Sequence, residues 1–98
     1  MGKRPRPRPQ RLPAKLLQIR EALGLSQSEM LRRLGVEDLI DPYRISEFET
    51  GKREPSLLVL LEYARAANVS VEALIDDELD LPAKLPSAKK HEGVRRRR

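Results

Sequence analysis

The sequence predicts an all-α fold, a compact five-helix bundle with a flexible basic tail at each end. Three observations lead there. Apolar residues between positions 12 and 75 recur at intervals of three and four, the spacing of one helix face. Each apolar segment is bracketed by helix punctuation: Ser26, Ser56 and Ser70 at starts, and Gly24, Gly35 and Gly51 at stops. No run alternates as a strand would, and no internal repeat appears.

The elements follow in order. Leu12, Leu16, Ile19 and Leu23 lie on one face of a first helix, with Pro13 in its first turn and Gly24 at its end. Ser26 and Glu29 form a Ser-x-x-Glu capping box that opens a short second helix. Met30, Leu31 and Leu34 are its buried stripe, and Gly35 stops it. Asp41-Pro42 reads as the start of a third helix, Asp as N-cap and Pro as first helical residue. With Ile45 at 0°, Phe48 falls near 300° and Glu49 near 40°, about 100° being added per residue. Tyr43, Ser46, Glu47 and Thr50 then share the opposite, open face. Pro55-Ser56 opens a fourth helix with Leu57, Leu60, Leu61 and Ala64 at core spacing. Ser70 caps a short fifth helix with Val71, Leu74 and Ile75. Only Tyr43, Phe48 and Tyr63 are aromatic, so aliphatic side chains make most of the core.

Charge divides the chain into three. Residues 1–12 carry Lys3, Arg4, Arg6, Arg8 and Arg11 and no acid, a net +5. Residues 83–98 carry seven Lys/Arg against Glu92, a net +6. Residues 13–82 hold eight Lys/Arg against fourteen Asp/Glu, a net −6. The overall +5 describes none of these parts. We therefore read residues 1–12 as an extended Arg/Pro arm, disordered when free, because proline fixes φ and removes donors. Residues 13–78 form the folded domain. Residues 79–98 are an extended linker and basic tail, whose like charges repel. For the terminal Arg run a solubility tail or a cloning remnant is the competing reading.

Several classes are excluded. The chain has no Cys and one His, His91, in the tail, so disulfides, thiolate metal sites and His clusters are out. No cofactor is implied. No phosphate-cradling Gly loop or catalytic constellation appears, and surface carboxylates alone do not make an active site. No small-molecule substrate is evident. No apolar run reaches the roughly twenty residues of a membrane span or serves as a signal peptide. The expected setting is soluble and cytoplasmic, at the nucleoid.

"IREALGLSQSEMLRRLGV" (19–36) and "RISEFETGKREPSLLVLLEYARAANVSVEALI" (44–75) resemble the helix-turn-helix domain of lambda-type phage repressors and Cro proteins, the Xre class. The most specific pieces are Gly-Leu-Ser-Gln at 24–27, Ile-Ser at 45–46, Glu-x-Gly-Lys-Arg-x-Pro-Ser at 49–56 and Val-Ser at 69–70. The resemblance implies a prokaryotic or phage DNA-binding transcription regulator, repressor-like, with double-stranded DNA as partner. In that geometry the second helix of the motif enters the major groove and the first crosses the backbone.

Carried over by position, the resemblance makes Gln27 a phosphate contact that can brace the reading helix, with Ser28 beside it at a helix N-terminus. Tyr43, Ser46 and Glu47 match base-facing positions, with Pro42 and Arg44 at the same helix start. Lys52 and Arg53 match phosphate contacts, and Arg4, Arg6 and Arg8 extend these along the arm. Arg20 and Glu49 match a pair joining the first helix to the third. Alternatives stand beside each: Lys52 and Arg53 are otherwise idle surface charges, and the Arg20–Glu49 pair is structural rather than functional. Gln27 is otherwise a solvated residue, Tyr43 packs against the turn, and Glu47 is either an inert acid or an acceptor for cytosine N4.

One departure is clear. The family places about four residues between the Val closing the second helix and the Ile of the third. Here Glu37 to Arg44 spans eight. Leu39 and Ile40 are costly to expose, so they are expected to fold onto the bundle as an extra helical turn.

A second hypothesis comes from the acidic segment "VEALIDDELDLP" (71–82). A protein-interaction module would use Val71 to Leu81 to bind a basic partner or to form a homodimer. The only spare apolar surface expected lies between Val71 and Leu85. Without Glu72, Asp76, Asp77, Glu78 and Asp80, residues 13–71 stand at −1, so the acidity is local.

Overall fold

The computed structural model describes residues 7–86. Over them the chain is helical: α1 (Leu12–Leu23), α2 (Gln27–Leu34), α3 (Tyr43–Thr50), α4 (Leu57–Ala67) and α5 (Val71–Ile75). No strand occurs among the described residues. α1 packs against α3, α4 and α5, while α2 packs against α3 and α4. One core results, with Leu16, Ile19, Met30, Ile45, Tyr63 and Leu74 fully buried.

Local chemistry sets most boundaries. The capping box of α2 is complete: Glu29 N donates to Ser26 Oγ (3.0 Å) and Ser26 N to Glu29 Oε1 (2.8 Å). Ser56 and Ser70 likewise accept from Val59 N (3.2 Å) and Ala73 N (3.1 Å). At the end of α3, Gly51 adopts φ +83°, and a Cβ there would meet the Pro13 ring at 3.4 Å. Glycine is therefore required by the left-handed turn, the Pro13 contact being an ordinary one.

α1 lacks a cap from its own neighbourhood. Its N-cap residue, Arg11, offers no side-chain acceptor. Asp77 supplies one from far along the chain, accepting from Gln10 N (2.8 Å) and Arg11 N (3.0 Å). Arg11 answers with Nη1 donating to the carbonyls of Asp77 (2.8 Å) and Leu79 (3.2 Å), and Nη2 paired with Asp80. Beside this, Lys15 is 2% exposed and donates Nζ to Ala73 O (2.8 Å) and Asp76 O (3.0 Å). These carbonyls end α5, where the helix presents negative partial charge. Leu81 is also buried in the core and Leu85 packs on it, so packing continues beyond residue 78.

Four expectations are corrected. Asp41 does not cap α3 with its side chain; the N-cap is Pro42, in helical geometry, with no side-chain bond. Arg44 N and Ile45 N are already taken by the carbonyls of Asp41 (3.0 Å) and Pro42 (3.1 Å). The lengthened connection does form an extra turn, with Leu39 N and Ile40 N both donating to Val36 O (2.8 and 3.1 Å). Ile40 packs against the core, but Leu39 is 76% exposed. Successive side chains on such a turn diverge by about 100°, so only one of the two faces inward.

The face of α4 is rotated by one residue from the expected stripe. Val59, Leu60, Tyr63, Ala64 and Ala67 are buried, Leu61 is half-buried, and Leu57 is 83% exposed. Inward placement of Tyr63, the largest of these side chains, removes more surface from water than Leu57 would. Its hydroxyl has no hydrogen-bond partner, and burial pushes its pKa up. Finally, spare apolar surface is not confined to 71–85, because Leu39, Leu57 and Leu58 are the most exposed large apolar side chains among the described residues.

Candidate nucleic-acid interface

α3 buries Ile45 and Phe48 and leaves its other face open. Tyr43 is 54% exposed, Thr50 is exposed, and Ser46 and Glu47 are half-buried. Thr50 Oγ1 bonds back to Ser46 O (3.0 Å). The charges on this face are paired with one another. Glu47 Oε1 accepts from Arg44 Nη1 (2.7 Å) and from Arg53 Nε (3.2 Å). Arg44 also lies over the Tyr43 ring, 4.9 Å from its centroid, within cation–π range. The Arg44 hydrogen bond, then that of Arg53, holds the Glu47 carboxyl below the usual carboxylate range despite some desolvation. The same Glu47 bond raises the Arg44 pKa.

Beneath this face a second network ties three helices. Arg20 in α1 grips Glu49 in α3 with two bonds, Nε to Oε2 (2.6 Å) and Nη2 to Oε1 (3.0 Å). The Glu49 side chain is 5% exposed. Arg20 Nη1 reaches Leu25 O (3.0 Å), and Gln27 Nε2 in α2 donates to Glu49 Oε1 (3.3 Å). The expected Arg20–Glu49 pair is thus formed, and it raises the Arg20 pKa. Gln27 braces the α2 start against α3 through the same carboxylate. Ser28, next to it, is exposed.

Lys52 and Arg53 follow Gly51 and are exposed. Lys52 has no ion-pair partner among the described residues. Arg8 approaches the same turn, Nη1 lying 3.4 Å from Gly51 O. It is exposed, with Pro9 and Arg53 lining the adjoining groove. Pro42 is exposed at the N-cap of α3. Arg4, Arg6 and the basic residues from 87 onward lie outside the described residues. The structure therefore brings Arg8, Arg44, Glu47, Lys52 and Arg53 to α3 and the turn after it, and joins Gln27 to α3 through Glu49.

Sequence reading missed the pairing of Arg11 with Asp77 and Asp80, which spans 66 to 69 residues. The only signal was charge complementarity between the arm and the acidic segment. It also missed that Glu47 is shared by two arginines, although an acid three residues after Arg44 on a helix is a readable pairing.

No group of His, Cys, Asp or Glu among the described residues could hold a metal ion, and no helix there is long and apolar enough to cross a membrane. Neither a curated protein nor a solved structure matches the chain. A family model described as helix-turn-helix matches residues 16–74, more than half of the sequence and the whole of the α2–α3 arrangement. The chain belongs to this DNA-binding helix-turn-helix family, in its lambda repressor-like Xre class.

Proposed function

We propose that the chain is a sequence-specific transcription regulator whose α3 enters the major groove while basic arms follow the phosphate backbone. The observation carrying this is the convergence on one turn: Arg8 reaches Gly51 O, directly before the exposed Lys52 and Arg53. Helix-turn-helix proteins use such flanking cations to fix register on the duplex, and leave base reading to the exposed helix face. Gln27 and Ser28 at the α2 start are the further phosphate contacts, and Tyr43 and Ser46 face the bases. Arg4, Arg6 and Arg8 extend the electrostatic contact, and arms of this kind lie in the minor groove. The partner is double-stranded DNA, bound as a monomer or as a homodimer on a palindrome.

Selecting bound sequences from a random duplex pool tests this reading. A recurrent sequence is expected, and a palindrome would report two copies. Failure to enrich any sequence would overturn it. The arm has its own test: replacing Arg4, Arg6 and Arg8 by Gln should flatten the salt dependence of binding by up to about three units of log–log slope, at roughly 0.9 per contact. An unchanged slope removes the arm from the interface.

The alternative of an acidic interaction module would rest on Ile75 and Leu79, which stay 43% and 38% exposed, but two of its acids are already committed. Asp77 and Asp80 are engaged with Gln10 and Arg11 of the same chain.

A further inference from the structure

We propose that Arg44 reads a guanine in the major groove and that Glu47 is the residue that positions it. The proposal rests on α3 entering that groove. With Ile45 at 0°, the exposed Tyr43 and Thr50 and the half-buried Ser46 and Glu47 fall between about 100° and 200°, and Arg44 at about 260°, close to buried Phe48. Backbone position alone would send Arg44 to the flank. Its guanidinium nonetheless stacks on the Tyr43 ring at 4.9 Å and donates Nη1 to Glu47 Oε1 at 2.7 Å. Both partners stand on the open face, so the cationic head is drawn back across it.

This arrangement suits one base. Tyr43 covers a flat side of the guanidinium, and Glu47 takes one of its five N–H donors. The donors that remain meet the adjacent acceptors N7 and O6 of guanine, which an arginine can grip with two bonds. Adenine places its N6 amino donor where O6 would be, and so opposes the second bond. Both arginine bonds to Glu47 fall on Oε1, so its charge is shared with Arg44 and Arg53. The acid denies Arg44 the competing choice of a phosphate. Removing Glu47 should therefore raise affinity for random DNA while lowering the preference for the operator. A merely solvated acid would change both affinities by the same factor.

The test uses the full chain and the operator recovered from the random pool. Each recurrent guanine is replaced in turn by 7-deazaguanine, which keeps base pairing and lacks the N7 acceptor. One such replacement should weaken the unaltered protein measurably, by less than the roughly 5- to 150-fold of a whole bidentate base contact, because O6 still accepts one bond. Arg44→Ala should bind the natural operator more weakly and show no further loss with the modified base. Glu47→Gln should narrow the operator-to-random affinity ratio, with helix content and thermal melting used to confirm folding. Insensitivity at every guanine overturns the proposal, as does equal sensitivity in Arg44→Ala, an operator with no recurrent guanine, or an unchanged ratio in Glu47→Gln. A chain that selects no sequence at all fails earlier, at the groove reading itself.

Discussion

Two ionic junctions hold this molecule together, and they differ in where they stand relative to water. Arg20 and Glu49 join α1 to α3 beneath the open face of α3, with side-chain exposures of 19% and 5%. Arg11, Asp77 and Asp80 join the two ends of the domain at the surface, where Arg11 and Asp80 are 45% and 80% exposed. In the first, a planar guanidinium meets a carboxylate with two bonds and little solvent, so removing one partner strands a charge. In the second, solvent and salt compete for the Arg11, Asp77 and Asp80 contacts. The inner pair therefore fixes how α3 sits on α1, while the outer one is open to conditions.

Three changes would break or sharpen that contrast. The largest effect is expected from Glu49→Ala. It leaves Arg20 and Gln27 without their shared acceptor and should cost about 3 kcal/mol in urea unfolding. The loss should persist nearly unchanged in high salt, whereas a loss that vanished there would place this pair with the surface junction. Next is Lys15→Met, within the terminal junction but in its dry part. It takes a donor from Ala73 O and leaves Asp76 O with Leu79 N alone, and should cost about 1–3 kcal/mol, with a matching fall in melting temperature.

The smallest effect belongs to Asp77→Asn with Asp80→Asn, a destabilisation that should shrink as salt rises. Its pH signature has a definite sign. Backbone donation from Gln10 and Arg11 lowers the Asp77 pKa, and the Arg11 side chain lowers that of Asp80, both from an ordinary 3.8. A depressed folded-state pKa contributes stability above the unfolded value and loses it as pH falls through the folded one. The unaltered chain should thus lose stability below about pH 4 more steeply than the double variant. Parallel acid titrations of the two would show that the clasp carries no charge-dependent stability.

What could be read in advance followed the distance between partners. Ser26 and Glu29 sit three residues apart, and their capping box was visible as spelled. Arg20 and Glu49 are 29 residues apart; the resemblance suggested the pair, and the inward wheel position of Glu49 agreed. Asp77 and Arg11 are separated by 66 residues, and nothing local marks them as partners. Apolar stripes were legible as helices but not to the last residue of rotation. Leu57, Leu60, Leu61 and Ala64 satisfy the spacing as well as Val59, Leu60, Tyr63 and Ala67 do, and only the tertiary fit of Tyr63 decides. On α3 the open face was found from the wheel, whereas the pull of Tyr43 and Glu47 on Arg44 depends on side-chain reach, which a wheel does not contain.

The Asp77 cap gives the domain an order in time as well as in space. Of the five described helices α1 leaves the ribosome first, yet the carboxylate that caps it belongs to a residue translated 66 positions after Arg11. At roughly 5–20 residues per second, that is a delay of about 3–13 s, far longer than helix formation itself. During synthesis the start of α1 waits uncapped, and Gln10 and Arg11 find their partners only when the acidic segment emerges.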